Sequence, residues 1–170
     1  MFKIAVLISG NGSNLEALID ACKKNLINGS VEIIISNNPD AYGIERAKNH
    51  FINYKIIDNN RFETREDFDR PLVEELQDSN PDLIVLAGFM RILTPVMIEA
   101  FKNKIINIHP SLLPKYPGLD THNSVRKNGD LKHGVTIHFV NEVLDGGQII
   151  AQGEISGKAK ETSEELTTRI

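Results

Sequence analysis

The sequence has little cysteine, no long apolar run and no excess of positive charge. Its single cysteine, Cys22, excludes an internal disulfide and fits a reducing compartment, so we expect a cytoplasmic protein. Only five apolar residues separate Lys3 from Ser9, a run too short for a signal-peptide core or a membrane span. The formal net charge of -4 argues against a general nucleic-acid binder. Disulfide-rich, membrane and nucleic-acid-binding classes are therefore all disfavoured.

The composition is that of an ordinary globular domain. The chain has 170 residues, of which 41% are hydrophobic and 25% charged, which is enough for a full core and argues against disorder. It contains no repeat, low-complexity tract or linker. We therefore expect a single domain over residues 1–170.

Short apolar, β-rich runs alternate with helical patterns through most of the chain. Strands are predicted at residues 3–8, 31–35, 53–57, 82–87 and 105–108. This alternation predicts an α/β, Rossmann-like fold with a mostly parallel sheet and helices on both faces. Two later runs, 134–140 and 148–151, flank the turn pair Asp145-Gly146, which predicts an antiparallel C-terminal strand pair.

Several helix signals add detail. Ser13 and Glu16 have the spacing of a capping box, and so do Thr162 and Glu165. Pro71 lies inside an apolar helical pattern, so we expect the helix to kink or to begin anew there. The helix after Thr162 is short, which leads us to expect that a further C-terminal helical region is lacking. The pair Thr94-Pro95 predicts the start of a helix. Helical spacing predicts one buried helix face formed by Leu15, Leu18, Ile19 and Cys22.

A glycine-rich loop, Gly10–Asn14, stands between the first strand and the first helix. This order brings backbone N–H groups and a helix N-terminus to one point, which favours an anion. A dinucleotide fingerprint would need a third glycine where Leu15 stands, and an acidic residue where Ser36-Asn37-Asn38 follows the second strand. NAD is therefore disfavoured, and a phosphate monoester fits better.

The stretch from Ile105 to Gly118 begins as a buried strand and ends in a proline-rich loop. Asn107 and His109 are two residues apart, so on a strand they face the same side. An amide beside an imidazole can polarise a carbonyl and manage a proton. Asp145 can face this loop and favour the imidazole cation, although Asp-Gly is also a favoured turn pair. The trio suits direct acyl transfer to an amine, without a covalent enzyme intermediate.

Other functions for the same regions are weaker. A nucleophilic role for Ser111 is disfavoured because Pro110 and the Ser-Leu-Leu-Pro context indicate a turn. The apolar residues of the segment Met90–Leu93 predict either a ligand floor or simple packing of strand against helix. Arg65 is interpreted, on pattern alone, as a solvated charge at a helix end. A zinc site is disfavoured because four histidines lack ligand spacing: His109, His122, His133 and His138.

Four segments together resemble the folate-dependent formyltransferases, and the similarity covers essentially the whole chain. They are Ile8–Leu15, Leu86–Leu93, Asn107–Pro114 and Leu144–Gly147. The Asn-x-His-x-Ser-Leu-Leu-Pro pattern with a later Asp is general to that family. The Ser-Gly-Asn-Gly-Ser-Asn loop and the Lys-Tyr-Pro-Gly-Leu sequence resemble its purine-pathway branch. The resemblance implies that a formyl group passes from 10-formyltetrahydrofolate to glycinamide ribonucleotide through a tetrahedral intermediate, in a monomer or homodimer with small-molecule partners.

The resemblance also implies roles for individual residues. It assigns catalysis to Asn107, His109 and Asp145, with His109 as proton donor, and implies no metal. It assigns the substrate phosphate to Gly12, Ser13 and Asn14. It assigns the folate to Arg65, Met90, Arg91, Ile92, Leu93 and Asn107. Asp120 departs from the histidine that close relatives often carry there, and the family's last helical region, with a further acidic substrate contact, is not matched.

Three alternatives remain open. Methionyl-tRNA formyltransferases share the Asn-x-His pattern, but they continue with an Arg-Gly type sequence and carry a basic C-terminal domain. Formyltetrahydrofolate hydrolase has a regulatory domain before its first strand, whereas Met1 here is almost on that strand. A phosphate-binding module without catalysis would use Gly10–Asn14, but would not need Asn107, His109 and Asp145 to converge.

Overall fold

The computed structural model describes residues 1–156 and 162–169, without the side chains of residues 163, 167 and 168. The chain falls into two compact units, Met1–Ile106 and Asn107–Ile170. Over the described ranges, none of the helices combines the length and the apolar character that crossing a bilayer requires.

The first unit alternates strands and helices as predicted. Its strands lie in the order β3-β2-β1-β4-β5, and the pairs β1–β2, β1–β4 and β2–β3 are parallel. The predicted α/β class is confirmed, and each predicted strand is present with ends shifted by a few residues. The elements are β1 (Phe2–Ile8), α1 (Ser13–Lys23), β2 (Gly29–Ser36), α2 (Gly43–Asn49), β3 (Asn53–Ile56), a 3₁₀ turn (Asn59–Arg61), α3 (Arg65–Ser79), β4 (Leu83–Leu86), α4 (Pro95–Ala100) and the start of β5 (Ile105–His109).

The core of this unit follows the apolar patterns in the sequence. Strand β1 is buried from Ile4 to Ile8, as expected for a central strand of a parallel sheet. Helix α1 buries Leu15 and Ile19, whereas Leu18 and Cys22 are half-buried. Burial raises the pKa of the Cys22 thiol, which makes it a weak nucleophile.

The start of α1 differs from the predicted capping box. Gly12 occupies the position before the helix, with φ 75°, and no side chain caps the first turn. The Glu16 carboxylate binds Arg46 instead, at 3.0 Å. The prediction for Ser13 and Glu16 is wrong because a tertiary ion pair takes the glutamate that a capping box would use.

Helix α3 runs unbroken through Pro71, so the helix does not begin anew there. Its start is set earlier by Thr64, whose Oγ1 accepts a hydrogen bond from Asp67 N at 3.1 Å. Proline inside a helix costs about 3 kcal/mol through the lost N–H and the clash with the preceding turn. Burial of three apolar side chains on the same helix offsets this cost, namely Phe68, Leu72 and Leu76.

The second unit contains the end of β5, α5 (Thr121–Asn128), β6 (Lys132–Phe139), β7 (Ile149–Ser156) and α6 (Ser163–Arg169). Its strands follow the order β5-β6-β7, and β6 pairs antiparallel with β7, which confirms the predicted C-terminal pair. The capping box at Thr162 is also confirmed, since Glu165 N donates to Thr162 Oγ1 at 3.2 Å and Thr162 N donates to Glu165 Oε2 at 2.8 Å.

Helix α5 was not predicted. Its sequence carries one apolar residue, Val125, which is buried, so no apolar stripe marks the helix. Its end is set by Gly129, which lies just after the last turn with φ 70° and suits the left-handed conformation.

Helix α5 and strand β6 bring two histidines into contact. His122 Nδ1 lies 2.9 Å from His133 Nε2, and His133 is only 1% exposed. In the described structure, His133 Nδ1 is buried with no hydrogen-bond partner. Burial and the neighbouring His122 lower the pKa of His133 to about 4, and burial also lowers the pKa of His122 against the opposing charge of Asp120.

This pair should make the stability of the fold sensitive to acid. The unfolded chain takes up a proton at His133 near pH 6.5, whereas the folded chain takes it up only near pH 4. The stability that comes from neutral His133 should therefore be fully present above pH 6.5, and the free energy of unfolding should fall by about 3 kcal/mol as the pH approaches 4. Urea unfolding at several pH values measures this, and His133→Gln should flatten the slope in that window. Equal slopes for the variant and the parent protein would contradict the assignment.

Candidate active site

The loop Gly10–Asn14 lies between β1 and α1 and forms one wall of a pocket of about 200 Å³. The rest of the wall is Ser9, Ala87, Gly88 and Met90, so the loop and the segment after β4 share one pocket. Gly12 is required twice over: its φ is 75°, and an added Cβ would lie 2.9 Å from Gly43 Cα. Ser13 and Asn14, at the first turn of α1, are exposed in the same pocket.

Ser9 ties the two walls of this pocket together. Its backbone N donates to Gly88 O at 3.1 Å, and its Oγ accepts a hydrogen bond from Met90 N at 2.7 Å. These bonds satisfy Met90 N, so a ligand on this segment must use other backbone groups. No pattern in the sequence singled out this role for Ser9.

The segment Met90–Leu93 has both buried and exposed apolar side chains. Leu93 is buried, as simple packing requires, whereas Met90 is 67% exposed and Ile92 is 53% exposed. The Arg91 guanidinium lies 5.0 Å from the centre of the Phe68 ring, and Arg91 Nε has no hydrogen-bond partner in the described structure. The segment therefore exposes the apolar side chains of Met90 and Ile92, while Leu93 is buried and Arg91 packs against the Phe68 ring.

A buried carboxylate holds the end of this segment. Thr94 N and Thr94 Oγ1 each donate to Asp69 Oδ2 at 2.7 Å. Burial raises the pKa of Asp69, against the two hydrogen bonds from Thr94 that lower it. Thr94 does precede α4 with Pro95 at the first helical position, as predicted, but its hydroxyl binds Asp69 and does not cap the helix. Arg65 is exposed at the first residue of α3 and does not line the pocket.

In the second unit, the structure brings Asn107, His109 and Asp145 together. Asn107 and His109 lie on β5, and Asp145 lies in the connection between β6 and β7. His109 Nδ1 is 3.5 Å from Asp145 Oδ2, and Asn107 Nδ2 is 3.4 Å from Asp145 Oδ1. The side chains of His109 and Asp145 are only 6% and 8% exposed, so the amide, the imidazole and the carboxylate form one largely buried group.

The loop after β5 supports this group through its backbone. His109 Nε2 lies 2.9 Å from Tyr116 O, and Gly118 N donates to Asp145 Oδ2 at 2.7 Å. Both nitrogens of the His109 ring therefore face oxygen acceptors, and an imidazolium has two N–H donors to offer them. Ser111 Oγ donates to Lys115 O at 2.7 Å, which makes Ser111 a turn residue, as expected. Backbone groups carry no side-chain signal, so the sequence could not reveal these supports.

His138 belongs to the same group and was missed. It is 2% exposed on β6, and its Nε2 lies 3.2 Å from Asn107 Nδ2 and 3.6 Å from Asp145 Oδ1. Its Nδ1 lies 2.9 Å from Phe139 O, a carbonyl that can accept a proton held at Nδ1. The one available signal was the alternation of β6, which buries His138 on the same side as Thr136.

Asp145 stays ionised in this setting. Burial alone would raise its pKa, but the His138 contact, the Gly118 hydrogen bond and the charges of His109 and His138 outweigh it and lower the pKa of Asp145. Its backbone is left-handed, with φ 51°, in the turn closed by the hydrogen bond from Gly146 N to Val143 O at 3.0 Å. Gly147 is obligatory, since a Cβ there would lie 1.6 Å from Phe139 O.

Together these observations define an α/β protein with an anion-sized pocket in one unit and a buried acid–base group in the other. Among residues 1–156 and 162–169, no cluster of three or more His, Cys, Asp or Glu side chains is arranged to hold a metal ion. A family model described as formyl transferase matches residues 2–170, and the chain belongs to that family.

Two similar proteins and one similar crystal structure show how far the similarity extends. The chain is 48% identical over 167 residues to the phosphoribosylglycinamide formyltransferase of Escherichia coli, which covers 98% of this chain and 79% of that one. It is 38% identical to the human trifunctional purine biosynthetic protein adenosine-3, over 99% of this chain and 17% of that protein. The crystal structure of glycinamide ribonucleotide transformylase 1 from Symbiobacterium toebii superimposes with a TM-score of 0.97 at 42% identity, covering 100% of this chain and 80% of that one.

Proposed function

We propose that this chain transfers the formyl group of 10-formyltetrahydrofolate to the amine of glycinamide ribonucleotide, as a cytoplasmic enzyme of purine biosynthesis. The observation that carries the proposal is the buried group of Asn107, His109 and Asp145, in a chain of the formyl transferase family. The family match runs through both units, which supports interpreting residues 1–170 as one functional domain. The names of the similar proteins support the choice of substrate.

The phosphate of the ribonucleotide is assigned to the loop Gly10–Asn14, with Gly12, Ser13 and Asn14 as its contacts. A loop that opens a helix offers several N–H donors and the positive end of the helix dipole. The pocket beside this loop is lined by exposed Ser13 and Asn14, whose side chains can add hydrogen bonds. A glycine-rich loop without a nearby lysine in its lining suits a monoester held mainly by backbone groups.

The folate is assigned to the segment Met90–Leu93, with further contacts from Arg65 and Asn107. The exposed side chains of Met90 and Ile92 give an apolar surface for a flat ring, and backbone groups of the segment other than Met90 N can supply hydrogen bonds. The Asp69 carboxylate fixes the end of this segment through Thr94, which keeps those groups in place.

In the proposed reaction, the substrate amine attacks the formyl carbon and the carbonyl oxygen becomes an oxyanion. The Asn107 amide and protonated His109 stabilise that oxyanion as it forms. The contact of Asn107 Nδ2 with Asp145 is long, at 3.4 Å, so the amide proton can turn to the substrate at little cost. His109 then donates its proton toward the leaving folate nitrogen as the oxyanion collapses to the new carbonyl and the carbon–nitrogen bond breaks. The proton that the attacking nitrogen must lose returns to His109, while Asp145 holds the ring in place.

Formyltetrahydrofolate hydrolysis is the second candidate, because the same trio could direct water at the formyl carbon. A formyl-transfer assay separates the two. Product should form in proportion to glycinamide ribonucleotide, and glycinamide riboside, which lacks the phosphate, should react far more slowly at the same concentration. Release of formate at a rate independent of the ribonucleotide would favour the hydrolase.

Gly12 offers a test of the phosphate assignment alone. Gly12→Val must place a Cβ against Gly43 Cα and must hold a left-handed backbone, which costs about 1–2 kcal/mol for a residue with a Cβ. We expect weaker binding of the ribonucleotide, roughly tenfold by that cost. Folate binding should be nearly unchanged when both are measured by calorimetry. Equal loss of both ligands would indicate a folding defect and contradict the assignment.

A further inference from the structure

Arg46, on α2, binds the glycine-rich loop from outside the pocket. Its Nε donates to Asn11 O at 2.9 Å, and its Nη2 donates to Asn11 Oδ1 at 3.0 Å. Its remaining nitrogen, Nη1, donates to Glu16 Oε2 at 3.0 Å. All three nitrogens of the guanidinium are thus bonded to the loop or to the first turn of α1, and none of the pocket lining is contributed by Arg46.

The guanidinium is itself held from several sides. Its Cζ lies 5.1 Å from the centre of the Tyr42 ring, which restricts the plane of the fork. The partner carboxylate of Glu16 is fixed by His50 Nε2 at 2.6 Å, and His50 Nδ1 in turn lies 2.6 Å from Lys23 Nζ. The side chain of Arg46 is only 23% exposed, so this fork exchanges little with solvent.

The loop needs an external support because its own residues supply little rigidity. Gly10 and Gly12 bring the greatest backbone freedom of any residue, and Asn11 lies between them. Only one backbone hydrogen bond joins α2 to the loop in the described part of the chain, from Gly43 N to Gly10 O at 3.0 Å. The bidentate grip of Arg46 on Asn11 therefore fixes the peptide plane between the two glycines.

We propose that Arg46 is a positioning residue that holds the N–H groups of Gly10–Asn14 in the arrangement that binds a phosphate monoester. It sets the affinity for the phosphate through geometry, because its donors are already engaged with Asn11 and Glu16. The identity of the ester rests on the proposed function, whereas the clamp, meaning the two hydrogen bonds from Arg46 to Asn11, does not. The competing explanation is that Arg46 attracts the phosphate through its charge alone.

Arg46→Lys separates geometry from charge, since lysine keeps the positive charge but cannot form a planar fork. We expect roughly tenfold weaker inhibition by inorganic phosphate and a similar rise in KM for glycinamide ribonucleotide, from the loss of two charge-assisted hydrogen bonds. The kcat value, the KM for the folate and the rate with the riboside that lacks phosphate should stay within about twofold. Glu16→Gln keeps Arg46 intact but weakens its support, so it should give a smaller change in the same direction.

Lys48→Gln is the matched control. Unlike Arg46→Lys, it removes a positive charge from α2, at a lysine that pairs with Glu45 on the same helix at 2.7 Å and not with the loop. This variant should bind phosphate like the parent protein. Phosphate binding retained in full by Arg46→Lys would overturn the clamp in favour of a charge effect. Equal losses with the riboside and the ribonucleotide would also overturn it, because the substitution would then act on the fold as a whole.

The experiments test the clamp and the proposed formyl transfer independently of each other. If the parent protein binds inorganic phosphate and Arg46→Lys weakens that binding, the clamp stands even where no formyl transfer is observed. If formyl transfer is observed but phosphate inhibits Arg46→Lys and the parent protein equally, the clamp is wrong and the proposed function stands. Thermal unfolding of each variant, measured with and without phosphate, identifies any loss that comes from unfolding.

Discussion

Replacing Asp145 with Asn should lower kcat/KM for formyl transfer by roughly 10²-fold or more, the scale of lost acid–base catalysis. The variant keeps the shape of the side chain and can still accept the hydrogen bond from Gly118 N. It loses the carboxylate charge 3.5 Å from His109 Nδ1, so nothing on this side of the ring balances the positive charge of the proton-donating imidazolium. Glu154→Gln is the control, since it removes a carboxylate that pairs with Lys132 on the neighbouring strand, and it should change the rate by less than about twofold.

The pH profile gives the Asp145 prediction a second readout. Because the pKa of Asp145 lies below its ordinary value of 3.8, the carboxylate is ionised throughout a normal assay range. Its contribution to stability is therefore present above that ordinary value and is lost only as the pH falls through the lower folded value. Asp145→Asn should remove this acid-side contribution from the free energy of unfolding, measured by urea unfolding at pH values around and below the ordinary value. An equal acid dependence in the variant and the parent protein would contradict the ionised state of Asp145.

His109→Ala should cost at least as much as Asp145→Asn. It removes the proton donor and one of the two groups that stabilise the oxyanion, so we expect a loss of roughly 10²- to 10³-fold in kcat. His109→Gln keeps a donor that can reach Tyr116 O, and it should be nearly as inactive because it cannot carry the transferred proton. Steady-state kinetics at saturating folate measures both variants.

The double variant tests whether the two residues act as one unit. When His109 is absent, Asp145 has no imidazole to support, so the double variant should lose little beyond His109→Ala. Independent, additive losses would contradict the mechanism. Near-ultraviolet and far-ultraviolet circular dichroism of each variant should match the parent protein, which separates lost chemistry from lost structure.

The sequence predicts the fold well wherever apolar periodicity is strong. Strands β1 and β4 and the buried face of α3 follow directly from runs of buried residues, and the antiparallel pair follows from the turn at Asp145. Helix α5 has a single buried apolar residue, Val125, so periodicity could not reveal it. The start of α1 was misjudged because Glu16 has the right spacing for a cap, but a partner distant in the sequence, Arg46, takes its carboxylate.

The sequence predicts the side chains of the candidate site, but not the backbone groups that hold them in place. Asn107 and His109 share a strand face by their spacing alone, and Asp145 was expected to face them because a two-strand connection returns it to that region. Every residue has a backbone carbonyl, and every residue except proline has a backbone N–H. No sequence pattern therefore marks the carbonyl of Tyr116 or the N–H of Gly118 as a support. The sequence suggests His138 only as a possible metal ligand, because its place beside Asn107 depends on the packing of β6.

Direct formyl transfer is the central claim, and one labelling measurement tests it. The protein is mixed with 10-formyltetrahydrofolate that carries an isotopically labelled formyl carbon, together with glycinamide ribonucleotide, and the label is followed by nuclear magnetic resonance. We predict that the label moves from the folate to the amine of the ribonucleotide, with no labelled protein species and with little movement in His109→Ala. Label that accumulates as free formate regardless of the ribonucleotide, or that attaches to the protein, would contradict the account.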